Sequence, residues 1–147
     1  MEQKNEMKLE AGKNTHENVI FSCFGGFSNT GIVSAIASLE AVKELGLKKV
    51  AIGCLGGLPT NVDAVFAKTN AARKIITVDG CAKECAKKVV ENAGFKVTKS
   101  IVLVRDIDMN KKPLNEDINV DLKGMMEYIS DEDVIKATQL IVQSIES

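Results

Sequence analysis

From residue 18 onward the chain alternates between short apolar runs and longer stretches whose apolar residues recur every three or four positions. The runs are Val19–Cys23 (VIFSC), Lys49–Cys54 (KVAIGC), Lys74–Val78 (KIITV) and Val97–Val104. Each is rich in β-branched residues and reads as a strand. The periodic stretches read as helices. The first starts at Ser28 or Asn29, either of which can cap it, and runs to about Leu45; Ile32, Ala35, Ile36, Leu39 and Val42 share one face. Gly46 suits the left-handed position after its last turn. Thr60 with Asp63 resembles a capping arrangement for a short helix carrying Val62, Val65 and Phe66. Asp79-Gly80-Cys81 turns the chain into a helix ending at Gly94, with Ala82, Ala86, Val89, Val90 and Ala93 inward. Between Arg105 and Ser130 the pattern weakens to a loop with one short element. Ser130 then caps a last helix whose buried stripe is Val134, Ala137, Ile141, Val142 and Ile145. Residues 1–17 have no such pattern and are expected to form a mobile polar leader before a single α/β domain over 18–147.

Strands and helices alternating at this spacing imply parallel strands joined by right-handed crossovers. The strands are apolar throughout rather than at every second residue, as expected of a sheet covered on both faces. The expected fold is α/β, doubly wound (Rossmann-like or flavodoxin-like), with a mainly parallel sheet of about four strands and helices on both faces.

Composition narrows the function. The formal net charge is −1 and aromatics make up 4 % of 147 residues, with no Trp and one Tyr, Tyr128. That leaves no broad attraction for nucleic acid and no base-stacking platform. No apolar run reaches the roughly 20 residues that span a bilayer, and Met1 to Asn18 has no apolar signal-peptide centre. The expectation is a cytoplasmic protein with no membrane partner. In that reducing compartment cysteines serve more often as metal ligands or reactive thiols than as disulfides.

Three of the four cysteines, Cys23, Cys54 and Cys81, fall at or just after the end of a strand, and Cys85 follows Cys81 by four. All strand C-termini of a doubly wound sheet open on one edge, where ligands bind. With a strand order beginning 2-1-3, neighbours about 4.8 Å apart would bring the first three together. A helix starting at Cys81 would put Cys85 on the same face. Four thiolates in tetrahedral array suit zinc, and an iron–sulfur cluster accepts the same donors. Helix N-termini at this edge would favour thiolate over thiol, with Lys83, Lys87 and Lys88 as further sources of positive charge. Against this stands the plain alternative that free cysteines are small buried hydrophobes.

The set formed by Asp79-Gly80-Cys81 with Cys85, the loop Cys23-Phe24-Gly25-Gly26-Phe27-Ser28-Asn29, and Cys54 before Gly56-Gly57 resembles the DGC-domain family, named for a central Asp-Gly-Cys motif and ascribed zinc binding. The resemblance runs from about Val19 to Asp106. It implies that Cys23, Cys54, Cys81 and Cys85 are the chelating set; many members carry a further cysteine where this chain has Gly26. The family description supplies no reaction.

Other chemistry is thin. His16 is the only histidine and lies in the leader, so a histidine-dependent triad is excluded. Asp79 is placed to accept from turn amides, or else to serve beside the cysteines as acceptor or proton carrier. The Gly25–Gly31 loop can offer amides to an anion, yet no Walker lysine and no Gly-x-Gly-x-x-Gly spacing is present, and no Arg follows Cys23 within seven residues. Phe24 and Phe27 read as loop packing. With Gly25, Gly26, Ser28, Asn29, Gly56 and Gly57 around the thiols, a small anionic or sulfur-containing ligand is an expected partner beside the metal ion. Two functions stay open: a protein that senses, handles or stores metal, and an enzyme using a reactive thiol or metal-bound thiolate in redox or sulfur transfer.

Overall fold

The structure, a computed structural model, describes residues 8–120 and 123–147. Four parallel strands form one sheet: β1 (Asn18–Ser22), β2 (Val50–Ile52), β3 (Ile75–Asp79) and β4 (Lys99–Val102), in the order β2-β1-β3-β4. Register is continuous, with Ile20 opposite Ile52 and Ile76, and Val78 opposite Ile101. Helices α1 (Asn29–Leu45), α2 (Asp63–Ala71), α3 (Cys85–Asn92), the single turn α4 (Leu103–Asp106) and α5 (Asp131–Glu146) complete it. The doubly wound fold read from the sequence is therefore the one observed.

The alternation of side chains along each strand sorts two cores. Ile20, Ile76, Val78 and Ile101 meet Val33, Ala37 and Ala41 of α1 and Ala137, Ile141 and Ile145 of α5. Val19, Phe21 and Ile75 point the other way, onto Leu58 and Val90, with Val65 and Phe66 of α2 alongside. Strand β1 feeds a crossover to β2 on one side, and the chain then returns past it to β3. The connections leaving β1 and β3 so diverge to opposite faces, and a crevice opens between their ends.

Several local expectations change. Of the expected α1 stripe Ile32 is buried and Val42 packs on the core, but Leu39 is 62 % exposed, and the rest of the buried face is Thr30, Val33, Ser34, Ala37, Ser38 and Ala41. Small hydroxyl residues let the helix approach the sheet closely. The Ser34 hydroxyl donates to the Val78 carbonyl (3.1 Å), and the Ser38 hydroxyl donates to the Ser34 carbonyl (2.8 Å). Thr60 does not cap α2; its hydroxyl donates to the Gly56 carbonyl (2.6 Å), and the helix begins at Asp63. Gly46 has positive φ (92°) with extended ψ (159°) rather than left-handed helical geometry.

Residues 8–17, read as leader, are tied to the body: Arg73 donates to the Ala11 carbonyl (3.3 Å), His16 Nδ1 meets the Leu47 carbonyl, and Glu17 pairs with Lys49 and Arg73. Residues 1–7 of that leader lie outside the described residues. After α4 the chain runs back through buried Met109 and Leu114 and bridges to the β1–α1 loop at Ser28–Pro113. Ser130 caps α5, accepting from Asp133 N–H as the sequence suggests. Among the described residues no helix is long and apolar enough to cross a membrane.

Candidate functional site

The crevice between β1 and β3 holds a cavity of about 290 Å³. Its floor comes from Cys23, Gly25, Gly26, Ser28, Thr30 and Gly31 after β1, and from Asp79, Gly80, Cys81, Lys83 and Cys85 after β3; Lys111 reaches it from the returning segment.

The β1–α1 loop is shaped by two contacts. Ser28 turns the chain into α1, its hydroxyl accepting from Gly31 N–H (3.2 Å). A side chain at Gly31 would overlap the Phe24 carbonyl, so only glycine lets the loop fold back on the helix start. Phe24 and Phe27, read as loop packing, are instead exposed, and Phe27 takes a left-handed φ of 69°.

The Asp-Gly-Cys turn divides its work among its residues. Asp79 is 1 % exposed, and its carboxylate accepts from the first-turn amides of α3, Ala86 N–H (2.7 Å) and Lys87 N–H (3.2 Å). Gly80 abuts the start of α1; an added Cβ would lie 2.7 Å from the Thr30 carbonyl carbon. Cys81 then faces the cavity. The chain does not enter α3 at Cys81: residues 81–83 form a turn, Glu84 adopts left-handed geometry (φ 53°), and α3 starts at Cys85. Cys81 and Cys85 therefore share the cavity but not a helix face.

At Cys23 the electrostatics run against the expected thiolate-favouring field. Burial pushes the Cys23 thiol up, the Gly25 amide bonded to it opposes this, and nearby Asp79, Cys85 and Cys81 push it further up. Burial likewise raises the Asp79 carboxyl, against the pull of the Ala86 and Lys87 amides. Lys87 pairs with Glu84 (3.6 Å), whereas Lys83 and Lys111 line the cavity.

Cys54 is not among these lining residues. It sits beyond β2, in a smaller cavity of about 150 Å³ with His16, Ile52, Val65 and Lys68. Gly56 and Gly57 follow it in a 3-10 turn (Leu55–Gly57), and Gly57 packs on Val65 and the Cys54 sulfur. Asn29 also lies outside the lining, as a clasp: its side chain accepts from Thr30 and Lys112 N–H and donates to the Asn110 carbonyl. All four cysteines are free. Among the described residues no three His, Cys, Asp or Glu side chains stand arranged to hold a metal ion. Lys111 is the lining residue that the sequence did not signal, because the segment carrying it has no periodic pattern.

Comparison with known proteins gives one match. A family model described as the DGC domain aligns with residues 19–131. No curated protein and no solved structure matches the chain.

Proposed function

The chain belongs to the DGC-domain family, and from that premise we propose that it binds one zinc ion through Cys23, Cys81 and Cys85 and serves to sense, handle or store the metal. The observation that carries this reading is that three cysteines from two loops, separated in the chain by two crossovers, line one cavity. The donor chemistry fits, since soft thiolates suit zinc. The thiols are not pre-arranged around a point, so binding requires them to rotate about their Cα–Cβ bonds into the shared space.

A divalent ion among the thiols would add positive charge beside them, and so reverse the upward push on the Cys23 thiol. Asp79, both oxygens engaged by α3 amides, holds the Cys81–Cys85 turn against β3. The α/β core stands without a metal, so the ion is not needed to tie the fold together.

The test is elemental analysis and a visible spectrum of protein purified without oxygen and with reductant. One zinc per chain and no visible absorption is expected. Iron with thiolate-to-iron bands would replace zinc by an iron–sulfur cluster, and no metal would overturn the reading. A second reading, redox or sulfur-transfer chemistry on the thiols, is favoured by the free state of Cys23 beside two other cysteines. It requires metal-free protein that forms a disulfide from Cys23 to Cys81 or Cys85 on mild oxidation.

A further inference from the structure

We propose that the crevice between β1 and β3 binds the phosphate group of a small ligand, held by the Ser28–Thr30 hydroxyl pair with Lys83 and Lys111 as charge partners. This goes beyond the metal reading and needs no metal, because the groups involved are oxygens and nitrogens and no cysteine takes part.

The hydroxyl pair carries one donor too many. Ser28 and Thr30 are 3 % and 1 % exposed, and both line the cavity. Their oxygens lie 3.2 Å apart, and Ser28 Oγ also accepts from Gly31 N–H. Two hydroxyls hold two protons, and the bond between them uses one. Whichever hydroxyl donates, the other proton is left without an acceptor among the described residues. The Ser22–Ser34 pair shows the closed form of the same arrangement. There Ser34 donates to the Val78 carbonyl, so Ser22 donates to Ser34 and both protons are used. Buried Ser38 and Thr69 likewise donate to carbonyls. Thr77 also has an unpaired hydroxyl, but it lines neither cavity described above. A buried donor with no acceptor costs stability. Beside a cavity, it marks where an acceptor atom of a ligand belongs.

The other polar groups select the charge of that ligand. Asp79 has both oxygens on α3 amides. Lys83 and Lys111 bring two positive charges to the cavity, and among the described residues neither has an ion-pair or hydrogen-bond partner. Their neighbours differ: Lys112 is held by Glu116 and Asp117, and Lys87 by Glu84. The α1 terminus is not the attraction, since Thr30 N–H is taken by Asn29 and Gly31 N–H by Ser28. What stays unmet is one hydroxyl donor and two cations. A phosphate group, a dianion with several acceptor oxygens, meets all three. Gly26, with open space where a side chain would stand, leaves the loop side clear for the rest of the ligand. The volume, about 290 Å³, lies at the lower end of small-molecule sites.

The experiment uses the full chain, reduced and stripped of metal, at a mildly alkaline pH where phosphate is a dianion. Its amide ¹H–¹⁵N signals are followed at constant ionic strength during titration with inorganic phosphate, with glycerol phosphate and with acetate. Saturable shifts at Ser28, Thr30, Gly31 and Gly80 are expected with both phosphates and not with acetate. Tighter binding of inorganic phosphate would identify the free ion as the ligand, and tighter binding of the ester a phosphorylated small molecule. Replacing Lys83 and Lys111 together by Gln should raise the midpoint about tenfold. Lys88→Gln, at an exposed residue outside the lining, should leave it unchanged. Ser28→Asp keeps an acceptor at the cap of α1 but takes up the Thr30 proton and adds a negative charge, so it should abolish the response. If that variant fails to fold, the lysine variants decide alone. No saturable shift with either phosphate, or an equal response to acetate, overturns the proposal. Equal weakening by Lys88→Gln overturns the role of the two lysines, and a phosphate response that survives Ser28→Asp overturns that of the hydroxyls. None of these outcomes touches the metal reading, which stands or falls on metal content.

Discussion

Two strand ends in this molecule carry similar words and do different things. After β1 come Cys23, Gly25 and Gly26; after β2 come Cys54, Gly56 and Gly57. The first loop leads through Ser28 directly into α1 and shares a cavity with the β3–α3 turn. The second runs through a 3-10 turn before α2 starts at Asp63, and its cysteine faces a smaller cavity beside α2. The difference lies in topology. The connections after β1 and β3 leave to opposite faces and open a crevice between adjacent strands. Strand β2 stands at the sheet edge, beyond that divergence. Cys23 thus shares its cavity with Cys81 and Cys85, while Cys54 lines a different one.

The sharpest way to break this contrast is at its glycines. Gly31→Ala should destabilise the protein by about 3 kcal/mol, because the methyl meets a backbone carbonyl that cannot yield. Gly56→Ala, with no atom near the added methyl, should stay within about 0.5 kcal/mol of wild type. Urea unfolding midpoints of the two variants decide this; equal losses would dissolve the distinction. A second test is protection. With zinc bound, iodoacetamide followed by peptide mapping should label Cys54 and spare Cys23, Cys81 and Cys85. Protection of Cys54 to the same extent would join the two cavities into one site.

Smaller effects separate two carboxylates that each follow a strand. Asp79→Ala leaves the Ala86 and Lys87 amides without their acceptor and should cost about 1–2 kcal/mol, read as a lower urea midpoint. Asp106, after β4, accepts from Val102 N–H (2.8 Å) and from Arg105, and the Arg105 hydrogen bond outweighs burial in holding its carboxyl below the usual range. The two have opposite linkage. The depressed Asp106 contributes stability above its unfolded value of about 3.9 and loses it as pH falls through the folded value. The raised Asp79 works against stability as pH rises above that unfolded value. Asp106→Asn should therefore flatten the acid limb of the stability–pH curve, by less than 1 kcal/mol, with little change in slope near neutrality.

The strands were legible because Val, Ile and Phe crowd into short runs, whereas their order entered only as a supposition, which the observed β2-β1-β3-β4 order matches. Helix α1 was legible in extent through Ser28 and Gly46, but not in orientation. A search for large apolar residues passes over a face built from Thr30, Ser34 and Ser38, whose burial depends on hydroxyls that meet backbone carbonyls. The start of α3 was misplaced because Glu84 adopts a left-handed conformation that its side chain does not advertise. Of the four thiols, the grouping of Cys23, Cys81 and Cys85 at one edge could be read from strand ends. That Cys54 lines a different cavity depends on side-chain direction at the end of β2, and Lys111 lies on a segment whose path is set by tertiary contacts alone.

Asn29 spends every polar atom of its side chain at the head of α1, and its main-chain amide donates to the Lys112 carbonyl (3.1 Å). One residue thereby fastens the segment that delivers Lys111, and Leu114 N–H donates to the Phe27 carbonyl just beyond it (2.9 Å). Any ligand that draws Lys111 inward slows the opening of that fastening. The amides of Lys112 and Leu114 then act as a clock: their deuterium uptake slows by the factor 1 + [L]/Kd, reporting binding at a pocket that has no chromophore of its own.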